Sequence, residues 1–203
     1  MIQTLQPAKI NKQRSSDMNL TNFENHLLIA MPSLEDNNFR RSVTYIFSHN
    51  ENGTTGIVIN KPLNLPFETV LRNLNIHRAG TSSKFVHVCR GGPVAPESGF
   101  LLHEGGASLE NDCFRVGSDI YLATSKNFLE SFAKSQGLAG LFAIGHASWG
   151  PGQLEEEIRQ GFWLCDTADK NIIFNVPFEN RWNVAIQQMG IDFSNISPDI
   201  GHA

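Results

Sequence analysis

An Asn-Gly dipeptide set between two β-patterned runs constrains this chain more than any other feature. Arg41 to His49 alternates, with Val43, Tyr45 and Phe47 on one face and Ser42, Thr44 and Ser48 on the other. Glu51-Asn52-Gly53-Thr54 follows. Asn-Gly tolerates the two positive φ angles of a type I′ turn, whose twist matches that of the flanking strands. The return run Gly56-Ile57-Val58-Ile59-Asn60 is apolar until Pro62 stops it, a pattern suited to a strand buried on both faces.

The other elements group around this hairpin. His26 to Met31 is an apolar run closed by Pro32, of a length that suits a buried strand. Pro66 opens a helix on which Phe67, Val70, Leu71 and Leu74 form one apolar stripe. Strands are predicted over 84–89, 99–103, 113–116 and 120–122. Ser125 caps a helix that runs to Gln136 and stops at Gly137. A strand over 140–146 leads through Trp149-Gly150-Pro151-Gly152 into a short helix ending at Gly161. A hairpin is predicted from 162–166 and 171–175, and a last helix over 178–189. Helices do not alternate with single strands, which argues against a doubly wound parallel sheet. The expected fold is α+β, with a curved, largely antiparallel sheet and helices packed on it.

The 203 residues suit one domain and show no internal repeat. Residues 1–17 are polar and aperiodic and read as a tail, leaving 18–203 as a single domain. Met18 stands where the folded pattern begins and is a second possible start. No apolar h-region follows Lys9, Lys12 and Arg14, so the tail does not read as an export signal. The longest apolar stretch, Leu138 to Ile144, falls far short of the ~20 residues of a spanning helix. Cys89, Cys113 and Cys165 are widely spaced and form no C-x-x-C pair, as expected of buried thiols in a reducing cytoplasm. The net charge is −4 and Arg40-Arg41 is the one adjacent basic pair, which argues against direct nucleic-acid binding.

Five blocks carry a resemblance. They are Leu27-Leu28-Ile29-Ala30-Met31-Pro32; Phe39 to Phe47 with Asn52 to Pro62; Gly91-Gly92-Pro93-Val94; Gly145-His146-Ala147-Ser148-Trp149-Gly150-Pro151-Gly152-Gln153-Leu154-Glu155-Glu156-Glu157; and Trp182 to Gly190. In this order and spacing the chain, over residues 20–192, resembles the YqgE/AlgH family, also filed as the uncharacterised UPF0301 group. The resemblance implies a bacterial cytosolic protein with one α+β domain, whose bifurcated sheet bends into a pseudo-barrel. Some members carry the label of transcriptional regulator. The resemblance brings no agreed active site and no cofactor. It also implies glycine where this chain has Ser148, and more usually an aromatic where it has His146.

Reactive motifs are weak. His146-Ala147-Ser148-Trp149-Gly150 lacks the leading glycine of a nucleophile elbow. His87 and Cys89 share a strand face at a spacing of two, and His103 and His146 could join them, but a metal needs three or four converging ligands. Glu155, Glu156 and Glu157 point about 100° apart on a helix and cannot converge, and Glu155 is expected nearest the Trp149 loop. They suit the helix N-terminal dipole and would repel a phosphate there. What remains is a binding surface. Gly91-Gly92-Pro93 lets a backbone approach closely. Trp149 among glycines is either an exposed anchor or a residue tucked into the sheet. The expected site is one cleft bordered by these loops, with Arg90, Gly91, Gly92, Pro93, His146, Trp149, Gln153 and Glu155. The expected partner is a small molecule or a protein, and the expected function is binding or indirect regulation of transcription. A hydrolase-like enzyme using the same cleft is the alternative.

Overall fold

The computed structural model describes residues 22–77, 86–105, 113–134 and 140–191. Among these residues nine strands join in one sheet, β1 (His26–Ala30), β2 (Val43–Asn50), β3 (Gly53–Val58), β4 (Val86–Arg90), β5 (Val94–Glu104), β6 (Phe114–Gly117), β7 (Ile120–Ala123), β8 (Gly140–Trp149) and β9 (Trp163–Thr167). The helices are α1 (Phe67–Asn73), α2 (Lys126–Lys134), α3 (Gln153–Arg159), α4 (Lys170–Phe174) and α5 (Phe178–Gln188). The strand order is β6-β7-β5-β8-β3-β2-β1-β9, and β4 pairs with β8 off this path. All named pairings are antiparallel except β4 with β8. The α+β architecture with a curled antiparallel sheet is as the sequence predicts. The tail 1–17, Met18, the start of β4 at 84–85 and the end of the second helix at 135–137 lie outside the described residues.

Strand alternation sorts the core into two faces. Leu27, Ile29, Val43, Tyr45, Phe100 and Leu102 point to one face, where Ile172, Ile173, Trp182, Ala185 and Ile186 of α4 and α5 cover them. Their neighbours Leu28, Ala30 and Leu101 point to the other. There α1 and α2 cover the β4–β5–β8 half, and α3 covers the half made by β1, β2 and the end of β8.

The sheet forks at Gly91. The Gly91 amide donates to the Ile144 carbonyl (2.8 Å), and its own carbonyl accepts from the Val58 amide (2.8 Å). On one side of this point β3 pairs directly with β8, from Gly56↔Ala147 to Thr54↔Trp149. On the other, β4 lies between them, bonded to β8 and to residues 61–63.

Two local expectations are corrected. Residues 171–174 belong to α4, with Asn175 as its C-cap, and do not form a returning strand. An apolar run this short does not distinguish strand from helix, and the Asp169 carboxylate caps the Asn171 amide (2.7 Å). β9 takes β1 as its antiparallel partner instead. The 41–60 hairpin forms, but Asn50 pairs with Gly53, so the loop residues are Glu51 and Asn52 rather than Asn52 and Gly53. The Asn50 side chain accepts from the Asn52 amide (2.8 Å), a local turn that competes with the Asn-Gly geometry. Gly53 adopts φ +124 and lies where an added Cβ would sit 2.2 Å from the Trp149 carbonyl.

Candidate functional site

The Gly91-Gly92 corner approaches another backbone, and that backbone is the chain's own. A Cβ on Gly91 would lie 2.2 Å from the Gly145 carbonyl, and one on Gly92 would lie 2.2 Å from the His146 carbonyl. Both glycines are buried and serve the fork. Arg90 and Pro93 flank them and are exposed. The Arg90 amide donates to the Lys61 carbonyl (2.9 Å).

His146 lies beside this corner, paired with Val94 across β5 and β8. Its ring meets Phe100 edge-on at 5.4 Å. Half-burial holds the imidazole below its ordinary titration range. Its Nδ1 is buried without a hydrogen-bond partner. A neutral imidazole of this kind can exchange a proton only with something that reaches it.

Trp149 is core, which corrects the exposed-anchor reading. It is 4% exposed and packs against Trp163 (5.8 Å) and Phe39 (5.9 Å). Its Nε1 donates to Glu157 Oε2 (2.9 Å), and so does Trp163 Nε1 (2.7 Å). Gln153 closes the turn, accepting from the Gly150 amide (2.9 Å) and donating to Glu157 Oε1 (2.9 Å). Glu157, not Glu155, is therefore the acid of the Trp149 loop, and sequence reasoning missed it. The expected common wall also divides. Trp149 belongs to the face covered by α3, whereas the His146 ring meets Phe100 on the face covered by α4 and α5.

Glu155 faces His49 instead, with Nε2 and Oε1 3.6 Å apart. His49 Nδ1 meets the Thr54 hydroxyl at 2.7 Å. Thr, His and Glu in this sequence look like a proton relay. Thr54 is 2% exposed, so no substrate reaches its hydroxyl in this conformation. The other histidines of the metal question are also placed. His103 stacks on Phe128 (4.8 Å) and Tyr121 (5.5 Å), and His87 is exposed beside Phe178. Among the described residues no group of three or more His, Cys, Asp or Glu is arranged to hold a metal.

An open hollow of about 310 Å³ lies elsewhere, lined by residues 62–66 and 86–88 and by Phe178. One wall is β4 where it pairs with the segment after β3, through the Pro62↔Cys89 bridge and the Leu63 amide donating to the Val88 carbonyl (2.9 Å). Pro62 and Pro66 bracket Leu63-Asn64-Leu65, and α5 brings Phe178 across. The His87 ring stands edge-on to Phe178 at 5.1 Å and 88°. The lining mixes polar and apolar surface, with the Asn64 and His87 side chains beside Leu63, Leu65, Val86, Val88 and Phe178. The sequence signal was the pair of prolines between a strand and a helix, which we read only as a stop and a start.

Comparison with known proteins follows the same lines. A family profile described as AlgH-like matches residues 27–194. A UPF0301 protein of Thioalkalivibrio sulfidiphilus is 44% identical over 184 residues, covering 90% of this chain and 98% of its own. One of Yersinia pseudotuberculosis is 43% identical over 190 residues, covering 90% and 100%. The solution structure of the AlgH protein from Pseudomonas aeruginosa superposes with a TM-score of 0.69 at 33% identity, covering 93% of this chain and all of that one. A crystal structure of a Corynebacterium diphtheriae protein shares the fold, with a TM-score of 0.66 at 22% identity over 82% of this chain and 87% of its own. The fork, the glycines that permit it and these matches over nearly the whole fold lead to one conclusion: the chain belongs to the AlgH-like, UPF0301 family.

Proposed function

We propose that this protein is a cytoplasmic binding and regulatory protein without catalysis of its own. Its ligand seat is the hollow between 62–66, β4 and Phe178. Any effect on transcription is indirect, through what it binds. The observation that carries this reading is the hollow itself, an open concavity of mixed polar and apolar lining set beside the hydrogen-bonded fork. Support also comes from the loops first expected to border a binding cleft, which prove structural. Gly91 and Gly92 serve the backbone crossing, and Glu157 and Gln153 hold the indoles. The net charge of −4 supports the indirect route to nucleic acid. The free thiols of Cys89 and Cys165 suit a reducing compartment. Among the described residues no helix is long and apolar enough to cross a membrane.

A hydrolase-like reading has one observation in its favour, the buried and unpartnered Nδ1 of His146. One experiment separates the two. A metabolite library is screened by thermal shift and by product formation, with wild type, His87→Ala and His146→Ala. Binding predicts a compound that raises the midpoint, loses that effect in His87→Ala, keeps it in His146→Ala and is recovered unchanged. Turnover that disappears in His146→Ala would replace this reading with the enzymatic one.

A further inference from the structure

The end of β3 is ringed by positive charge that the protein does not neutralise. Lys61 Nζ donates to the main-chain carbonyl of Arg40 (2.6 Å), and Asn60 Nδ2 donates to that of Arg41 (2.8 Å). The Arg41 guanidinium lies 4.4 Å from the centre of the Trp182 ring. Next to Trp182 on α5, Arg181 is 2% exposed. It donates through Nε to the Val176 carbonyl (2.9 Å) and through Nη1 to the Ile59 carbonyl. Its guanidinium sits 4.1 Å from the Phe178 ring centre. The exposed Arg40 and Arg41, the half-buried Lys61 ammonium and the buried Arg181 guanidinium therefore gather around residues 59–61, where the charges of Arg40 and Arg41 are felt at Lys61.

None of these four has a carboxylate within 4.0 Å among the described residues. The ion pairs there are His49 with Glu155, Arg159 with Glu156, and Lys170 with Asp119 and Glu104. Asp36, four residues before Arg40, spends its Oδ1 on the amides of Asn38 (2.8 Å) and Phe39 (3.2 Å). Glu179 acts on Arg181 only as a minor electrostatic influence. Burial, with Arg40 and Arg41 as added like charges, holds the Lys61 ammonium below its usual range. Burial pushes Arg181 down to about 10, so it stays charged at neutral pH. A buried charge with main-chain acceptors alone is costly, and its field carries further through apolar surroundings than through water. Backbone strain coincides with the cluster: Arg41 holds φ +52, a region that side-chain-bearing residues seldom occupy.

We propose that this face binds a compact oligophosphate, either free or as the head of a small phosphorylated molecule. Guanidinium forks match phosphate oxygens in pairs, and the Lys61 ammonium adds a point charge between them. Three surface cations offset most of the charge of a short oligophosphate, whereas a duplex engages roughly 6–10 phosphates. Neutralising the face offsets the mutual repulsion of its cations, including the buried one. The hollow adjoins this face at Phe178, whose ring lies against the Arg181 guanidinium, but Arg40, Arg41 and Lys61 are not among the residues that line it, so either site stands without the other.

The test uses the full chain in low salt, with inorganic tripolyphosphate as the probe in calorimetry and thermal shift. Tripolyphosphate is expected to bind, to raise the unfolding midpoint, and to bind more weakly as salt is added. Arg40→Gln and Lys61→Gln, whose unliganded melts should match wild type, are each expected to weaken it about tenfold. His87→Ala, on the wall of the hollow, is expected to leave it unchanged. ATP binding tighter than tripolyphosphate would mark the head-group source, and equal or weaker ATP binding would mark the free anion. The proposal is overturned by no binding at millimolar tripolyphosphate, by undiminished binding in Arg40→Gln and Lys61→Gln, or by loss in His87→Ala. It is also overturned by citrate binding as tightly as tripolyphosphate, or by duplex DNA competing more strongly per phosphate.

Discussion

Glu157 joins two buried indoles through one carboxylate oxygen. Truncating it leaves both Nε1 groups without their acceptor. Glu157→Ala is expected to cost about 2–4 kcal/mol in urea unfolding and to shift tryptophan emission, while Glu156→Ala on the exposed side changes little. His146 gives a pH prediction. Its folded-state titration lies below the ordinary 6.5, so the unfolded chain takes up the proton first. Stability contributed by neutral His146 is therefore complete above about pH 6.5 and falls as pH drops below it. Urea midpoints measured from pH 7.5 to 5.5 should decline less steeply in His146→Phe. At this scale the sequence was only partly legible. Glu155, Glu156 and Glu157 look alike as a helix-opening triplet, and only the geometry selects Glu157. Arg181 looks like a polar break in the apolar stripe of α5 until the Ile59 and Val176 carbonyls appear beside it. Trp149 allowed two readings, and the indole pairing decided between them.

Elements depend on close backbone approach more than on propensity. A methyl group on Gly91 has nowhere to go, because the obstacle is the Gly145 carbonyl rather than a movable side chain. Gly161 ends α3 with φ +77 and open space around it. Gly91→Ala is expected to cost about 3 kcal/mol and Gly161→Ala about 1 kcal/mol, read from denaturant midpoints of the two variants. Equal costs would show that the fork is not a tight crossing. Most elements were visible from period and punctuation, including the Ser125 cap, whose Oγ accepts from the Phe128 amide (3.1 Å). Residues 171–175 were not, because Asn171-Ile172-Ile173-Phe174 fits either period. The glycines of 91–92 signalled close approach correctly, but composition does not say what is approached.

For the whole molecule, the α+β class and the curved antiparallel sheet followed from hairpins outnumbering crossovers. The seat did not, because it forms where β4 separates two segments that are contiguous in pattern, with α5 arriving from more than a hundred residues away. The central claim is that the working concavity lies there and not at the glycine corners. Mapping an aromatic-fragment set onto the backbone amide spectrum of the full chain tests it most directly. The expected result is shift changes concentrated in 63–65, 86–88 and Phe178. Changes concentrated at 91–92 and 146–153 instead, or no fragment bound at millimolar concentration, would contradict it.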